Sequence, residues 1–296
     1  MKLLLALALA IVLLATAAAA RGDGSPYAPG LVQGADGVVS PDRTVRYVAL
    51  GTPRSTVVAA IRIRTGRVVR SNLLRGFYGV PIVAWDNSTG GVSGDGRTLV
   101  LGSYGPPPGS PGVTRFVVLG AKTLRKLRTL TLEGSWAYDA ISPDGSKMFL
   151  IEYLAAGQNP HYRVRSLDIG TGRVDPDPVV DRREEEVLMR GQPVTRAVSP
   201  DGRWAYTLYA RPAQGPFVHA LDTAQRRAYC IDLPLHLRQL EQMALRLRIH
   251  GGALEVRSRR ATVATVDAEK LALGARGQPV RPESPRSRPR SSARPR

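Results

Sequence analysis

Four times, at intervals of about fifty residues, the chain repeats one short phrase: Ser40-Pro41-Asp42, Ser93-Gly94-Asp95-Gly96, Ser142-Pro143-Asp144-Gly145 and Ser199-Pro200-Asp201-Gly202. The starts lie 53, 49 and 57 residues apart. Self-similarity at such a period marks a repeat architecture, in which each unit is one supersecondary block stacked on the next. The phrase itself is turn chemistry. Proline presets φ, the aspartate side chain bonds its own backbone, and glycine accepts positive φ.

Strand-like runs flank every turn. Val38-Val39, Ala140-Ile141 and Ala197-Val198 precede it, and residues 45–50, 98–101, 147–154 and 204–208 follow it. The following run is almost continuously apolar, as suits a strand buried on both faces. A third run (57–63, 114–119, 162–168 and 217–222) alternates better, so one side meets water. Turns at 64–67, 168–173 and 222–226 close it, and a fourth run leaves the unit at 68–74, 127–132 and 228–233. Four antiparallel strands per unit predict an all-β fold, a β-propeller. A worn fifth copy begins at residues 247–252 and continues through 253–256 and 262–267. No fourth strand is visible before the tail, so the expectation is about five four-stranded blades with the last degenerate. Residues 27–33 are a candidate to complete that blade from the other end of the chain, protecting an otherwise open edge.

The phrase at 142–145 with Leu167-Asp168-Ile169-Gly170-Thr171-Gly172-Arg173-Val174, and the phrase at 199–202 with Ala220-Leu221-Asp222-Thr223, resemble the YVTN/TolB-like class of β-propeller repeats. The resemblance covers roughly residues 36–270 and is strongest in the third and fourth units. It implies the architecture and leaves the activity open, because such propellers host binding, scaffolding and enzymatic roles. The second unit departs from the pattern, with Gly94 in place of proline and Gly120-Ala121-Lys122-Thr123 as its later turn.

At the N-terminus, Lys2 precedes an apolar run at 3–14 and then Ala15-Thr16-Ala17-Ala18-Ala19-Ala20. A charged start, an apolar centre and small residues before Arg21 describe a secretory signal peptide. The alternative is an uncleaved anchor, for which residues 3–20 are at the lower limit of a membrane span. The sequence-level division is therefore a signal peptide at 1–20, a linker or closing strand at 21–35, a propeller at 36–273 and a basic Arg/Pro/Ser-rich tail at 274–296. The tail holds almost no apolar residue and is expected to be disordered. The product is expected to be secreted, periplasmic or at the cell surface.

The formal charge is +18, dominated by arginine. An exported protein of this balance is drawn to anionic lipid headgroups, acidic glycans or wall polymers, although scattered arginine also simply solvates a surface. The expected partner is an unknown protein, a glycan or an anionic envelope polymer, with the tail as a further contact for anionic surfaces. Counterion release would favour nucleic acid too, but export removes it. The membrane enters only if the leader is retained. Cys230 is the only cysteine, so no internal disulfide can form, and its place in a strand argues for a buried thiol.

No haem-attachment, nucleophile-elbow, zinc-protease or phosphate-loop motif is present. His161, His219, His236 and His250 fall in different units at non-equivalent places, so the sequence offers no metal site and no cofactor. Asp175, Asp177, Asp181, Glu184, Glu185 and Glu186 lack calcium-loop spacing and read as a solvated loop. One constellation is a candidate ligand site. Trp85-Asp86 and Trp136-Ala137-Tyr138-Asp139 lead into successive blades, and Arg196 precedes its phrase at the position of Asp139. Trp85, Asp86, Trp136, Tyr138, Asp139 and Arg196 would meet at the axial rim. The alternative is a structural Asp139–Arg196 pair with the tryptophans packed between blades. The leading functional expectation is an exported binding or interaction module of the cell envelope. The alternatives are a lactonase-like or other hydrolytic or isomerising enzyme with an axial site, and a structural envelope accessory protein. The missing catalytic set weighs against an enzyme.

Overall fold

Each Ser-x-Asp phrase is a closed hydrogen-bond clamp. Ser142 Oγ donates to Asp144 Oδ1 at 2.6 Å and accepts the Lys147 N–H at 2.9 Å. Ser40, Ser93 and Ser199 repeat both bonds, to Asp42 and Val45, Asp95 and Thr98, and Asp201 and Trp204. The clamp fixes where one strand ends and the next begins, and so fixes the register of the pair.

The computed structural model describes residues 36–154, 161–184, 188–211, 214–259 and 261–274. The expected leader at 1–20, the stretch at 21–35 with its candidate closing strand, and the tail after Gly274 lie outside the described residues. Blade one contains β1 (Val38–Val39), β2 (Val45–Gly51), β3 (Ser55–Arg62) and β4 (Val68–Arg75). Blade two contains β5 (Thr98–Gly102), β6 (Val113–Gly120) and β7 (Lys126–Glu133). Its innermost place is held by the single bridges Gly79↔Gly102 and Val92↔Leu99. Blade three contains β8 (Ser135–Ile141), β9 (Lys147–Tyr153), β10 (Tyr162–Asp168) and β11 (Val174–Val179). Blade four contains β12 (Gln192–Val198), β13 (Trp204–Ala210), β14 (Phe217–Asp222) and β15 (Arg227–Asp232). A short helix, α1 (Gln239–Met243), leads to blade five, which contains β16 (Arg246–His250), β17 (Ala253–Arg257), β18 (Thr262–Asp267) and β19 (Ala272–Leu273). All pairings are antiparallel between consecutive strands, and the fold is an all-β propeller of five blades.

Two expectations are corrected. Blade five does have a fourth strand: Ala272 and Leu273 pair with Asp267 and Val266. Two residues are too few for a periodic signal. Residues 174–179, expected within a solvated loop, form the outer strand of blade three. Pro176 and Pro178 disguise it, yet proline is tolerated on an edge strand because no neighbour needs its missing N–H.

Successive blades share apolar cores. Tyr47, Val58 and Leu74 of blade one meet Leu99, Val117 and Leu119 of blade two. Similar clusters join blades two and three, three and four, and four and five. None of these clusters joins blade five to blade one among the described residues. The Ser-x-Asp turns converge at the axis: the Asp95 N–H donates to Pro143 O at 2.8 Å. A Cβ on Gly94 would lie 3.1 Å from Asp201 O and 3.2 Å from Pro143 Cα, which explains why blade two carries glycine there.

Candidate functional site

At the axis, β8 carries a bulge. Tyr138 pairs with Leu150 and Ala140 with Phe149, so Asp139 has no cross-strand partner. A bulge re-aims a side chain, and here Asp139 turns to Arg196 of blade four. Arg196 Nη2 donates to Asp139 Oδ1, and Nη1 donates to Asp139 O at 2.6 Å. Both side chains are buried, at 6% and 1% exposure, and Asp139 Oδ2 and Arg196 Nε have no partner among the described residues. Tyr138 is buried beside them, packed against Gly90, and burial raises its hydroxyl pKa.

The other three residues expected at the axial rim serve different neighbours. The Trp85 and Asp86 N–H groups donate to Pro193 O and Val194 O at 3.0 and 3.1 Å, tying blade two to β12. Asp86 Oδ1 accepts from Ser88 N and Oγ, and its Oδ2 lies 4.0 Å from Arg246 Nε of blade five. Trp136 is half-buried and donates its indole N–H to Glu133 O at 2.6 Å. The structure therefore brings Asp139, Arg196 and Tyr138 together in the interior. Trp85 and Asp86 lie along β12, and Trp136 turns toward its own hairpin.

Arg196 begins a feature that the sequence did not reveal. It pairs with Thr207, Thr207 with His219, and His219 with Cys230, each directly opposite the next across the four strands of blade four. Directly opposed residues share a face, so this polar row runs from axis to rim through the interface with blade three. It is layered between Ala205, Leu221 and Ala228 on one side and Tyr209 and Phe217 on the other. Thr207 Oγ1 is buried without a partner. His219 is 1% exposed, and burial lowers its pKa to about 4, so the imidazole is neutral at pH 7.

At the rim the row ends in a cavity of about 80 Å³, lined by Asp181, Glu184, Met189, Arg211, His219 and Cys230 among others. Asp181, expected in a solvated loop, is instead buried. It accepts the Cys230 N–H at 2.7 Å and pairs with Arg183 through both oxygens. Burial pushes its carboxyl pKa up, but the Arg183 and Cys230 donors outweigh that and leave it lowered. Burial, then the charges of Glu184 and Asp181, push the Cys230 thiol up to about 12. The lining gathers carboxylate, guanidinium, thiol and imidazole groups, so the cavity suits an ion or ordered water.

The second candidate surface is blade one. Between Asp42 and Asp86 the chain has eight arginines and no acidic residue. Seven of them (Arg43, Arg54, Arg62, Arg64, Arg67, Arg70 and Arg75) are exposed, and none makes an ion pair among the described residues. On the sheet face turned away from blade two, Leu50 pairs with Val57 and Val57 with Leu73. These three are 66%, 41% and 66% exposed, and Ile63, Val68 and Val69 of the same blade are exposed too. The corresponding outward face of blade five presents Arg246, Arg248 and His250.

No protein-family model matches this chain, and no curated protein matches it. Similar solved structures include Kuenenia stuttgartiensis hydrazine synthase, at 16% identity and TM-score 0.44 over 84% of this chain and 80% of that one. TolB from Acinetobacter baumannii is 13% identical with TM-score 0.41, over 78% of this chain and 51% of that chain. BamB from Moraxella catarrhalis is 15% identical with TM-score 0.42, over 82% and 64%. The chain thus spans about half the length of that TolB and under two thirds of that BamB. At these identities the likeness concerns the fold alone.

Proposed function

We propose that the chain is a non-catalytic binding propeller of the cell envelope that docks through blade one onto an acidic partner protein. The observation that carries this reading is the unneutralised arginine set around the exposed Leu50–Val57–Leu73 row. An apolar centre within a charged rim is the anatomy of a protein interface, and exposed apolar side chains gathered on one blade mark an interaction surface. A polysaccharide would use the arginines but give the leucines nothing to bury. The leader-like run at 1–20 supports the envelope location, and the arginines of the tail add to the same attraction. Against an axial enzyme stands the Asp139–Arg196 pair, whose charges are spent on each other inside the molecule.

The test is a photo-crosslinking residue at Leu73, with the same residue at exposed Thr131 of blade two as control, in the protein's own envelope extract. A discrete protein adduct is expected at Leu73 only. It should fall at least tenfold in the Arg62→Glu/Arg64→Glu variant and weaken with salt. Equal labelling at both positions, or lipid adducts alone, would overturn the reading.

A further inference from the structure

We propose that the cavity between blades three and four binds a single divalent cation of the zinc class, through Cys230 Sγ, Glu184 and Asp181, with the His219 imidazole facing the same space. The first three offer ligand atoms that all lie within 4.8 Å of one another. Tetrahedral ligands at about 2.0–2.3 Å from a zinc ion stand roughly 3.3–3.8 Å apart, so the set closes by side-chain rotation, with one Asp181 oxygen exchanging a bond to Arg183 for the metal. The elements supply the ligands from two sides: Asp181 and Glu184 follow β11 of blade three, and Cys230 and His219 sit on β15 and β14 of blade four.

His219 separates this site from a chance acidic cluster. Its ring touches Tyr209 edge-on, it makes no hydrogen bond to any of the described residues, it is 1% exposed, and it lines the cavity. A buried imidazole without a hydrogen bond costs free energy unless something fills its lone pair. It also stands directly opposite Cys230 on the neighbouring strand, so both project from one face. Sulfur, nitrogen and carboxylate oxygen together form a borderline-soft donor set, which suits zinc and not magnesium or calcium.

The charged groups around the thiol are Asp181, Glu184 and Asp232 against Arg183, Arg190 and Arg211. Arg183 is paired with Asp181, and Arg211 with Asp232. Glu184 and Asp181 bring two carboxylates to one side of the cavity, so a cation between them would relieve their mutual repulsion. At neutral pH Cys230 carries its proton, and binding replaces the S–H bond with S–Zn and releases that proton to solvent. Affinity must therefore rise with pH.

The experiment uses the chelator-stripped exported chain titrated with Zn²⁺ in a competition assay against a chromophoric chelator, and repeated with Co²⁺. One zinc per chain is expected, with a thiolate-to-cobalt charge-transfer band and about one proton released. Cys230→Ser should abolish the band and weaken zinc at least tenfold. Glu184→Gln changes an exposed side chain, leaves folding intact, and should also weaken zinc at least tenfold. His219→Ala, its fold checked by circular dichroism, should weaken zinc similarly. Stoichiometry well below one, or zinc affinity unchanged in both Cys230→Ser and Glu184→Gln, would overturn the assignment.

Discussion

Asp139 and Arg196 are opposite charges that water barely reaches, and the consequence can be measured. The Coulomb gain of such a pair roughly offsets its desolvation, so the pair adds little net stability, whereas removing one partner strands the other. Asp139→Ala is expected to cost about 3–5 kcal/mol in urea unfolding. The double replacement Asp139→Leu/Arg196→Met should recover most of that loss. A double variant no better than the single one would show that the carboxylate does more than neutralise the arginine. The pairing was half legible in sequence, because both residues stand three places before their phrase-initial serine. The bulge that aims Asp139 was not, since nothing in Tyr138-Asp139-Ala140 signals an extra residue.

At the scale of the element, the phrase is a stability device, and its acids are spent on it. Hydrogen bonds from Ser40, Ser142 and Ser199, followed by other nearby donors, hold Asp42, Asp144 and Asp201 below the ordinary carboxyl value of 3.8. The unfolded chain therefore takes up these protons first as pH falls. The stabilisation is complete above the ordinary value and is lost as pH drops through the lowered folded ones. Denaturant midpoints should hold from pH 7 to about pH 5 and then decline, and Asp144→Asn/Asp201→Asn should flatten that decline. Ser142→Ala, which removes one bond given and one received, should cost about 1–3 kcal/mol. Gly94 provides the converse case. Gly94→Pro restores the repeated phrase, yet it sets side-chain atoms against the backbone of Asp201 and Pro143. It should cost about 1–3 kcal/mol by overpacking, and a gain in stability would show that the turns at the axis can spread apart.

Across the whole molecule, the blade count was legible because the turns are local and recur. The polar row of blade four was not, because its members stand eleven, twelve and eleven residues apart and meet only once the turns have set the register. That near-constant spacing of polar residues within apolar strands was the one available signal. The same distinction between local and global governs stability. Blade four packs a core on both faces, against blade three and against blade five. Blade one shares its core with blade two alone among the described residues and leaves Leu50, Val57 and Leu73 in water. Segments with few buried contacts open at lower free energy than the molecule as a whole. Native-state hydrogen exchange should find the amides of β13 and β14 protected up to global unfolding, while β4, β18 and β19 exchange through smaller openings. Binding of the proposed acidic partner to blade one should then slow exchange in β3 and β4 and leave β13 unchanged. Uniform protection across the five blades would mean that blades five and one are joined as firmly as the rest, and that the Leu50–Val57–Leu73 face is covered within the chain itself.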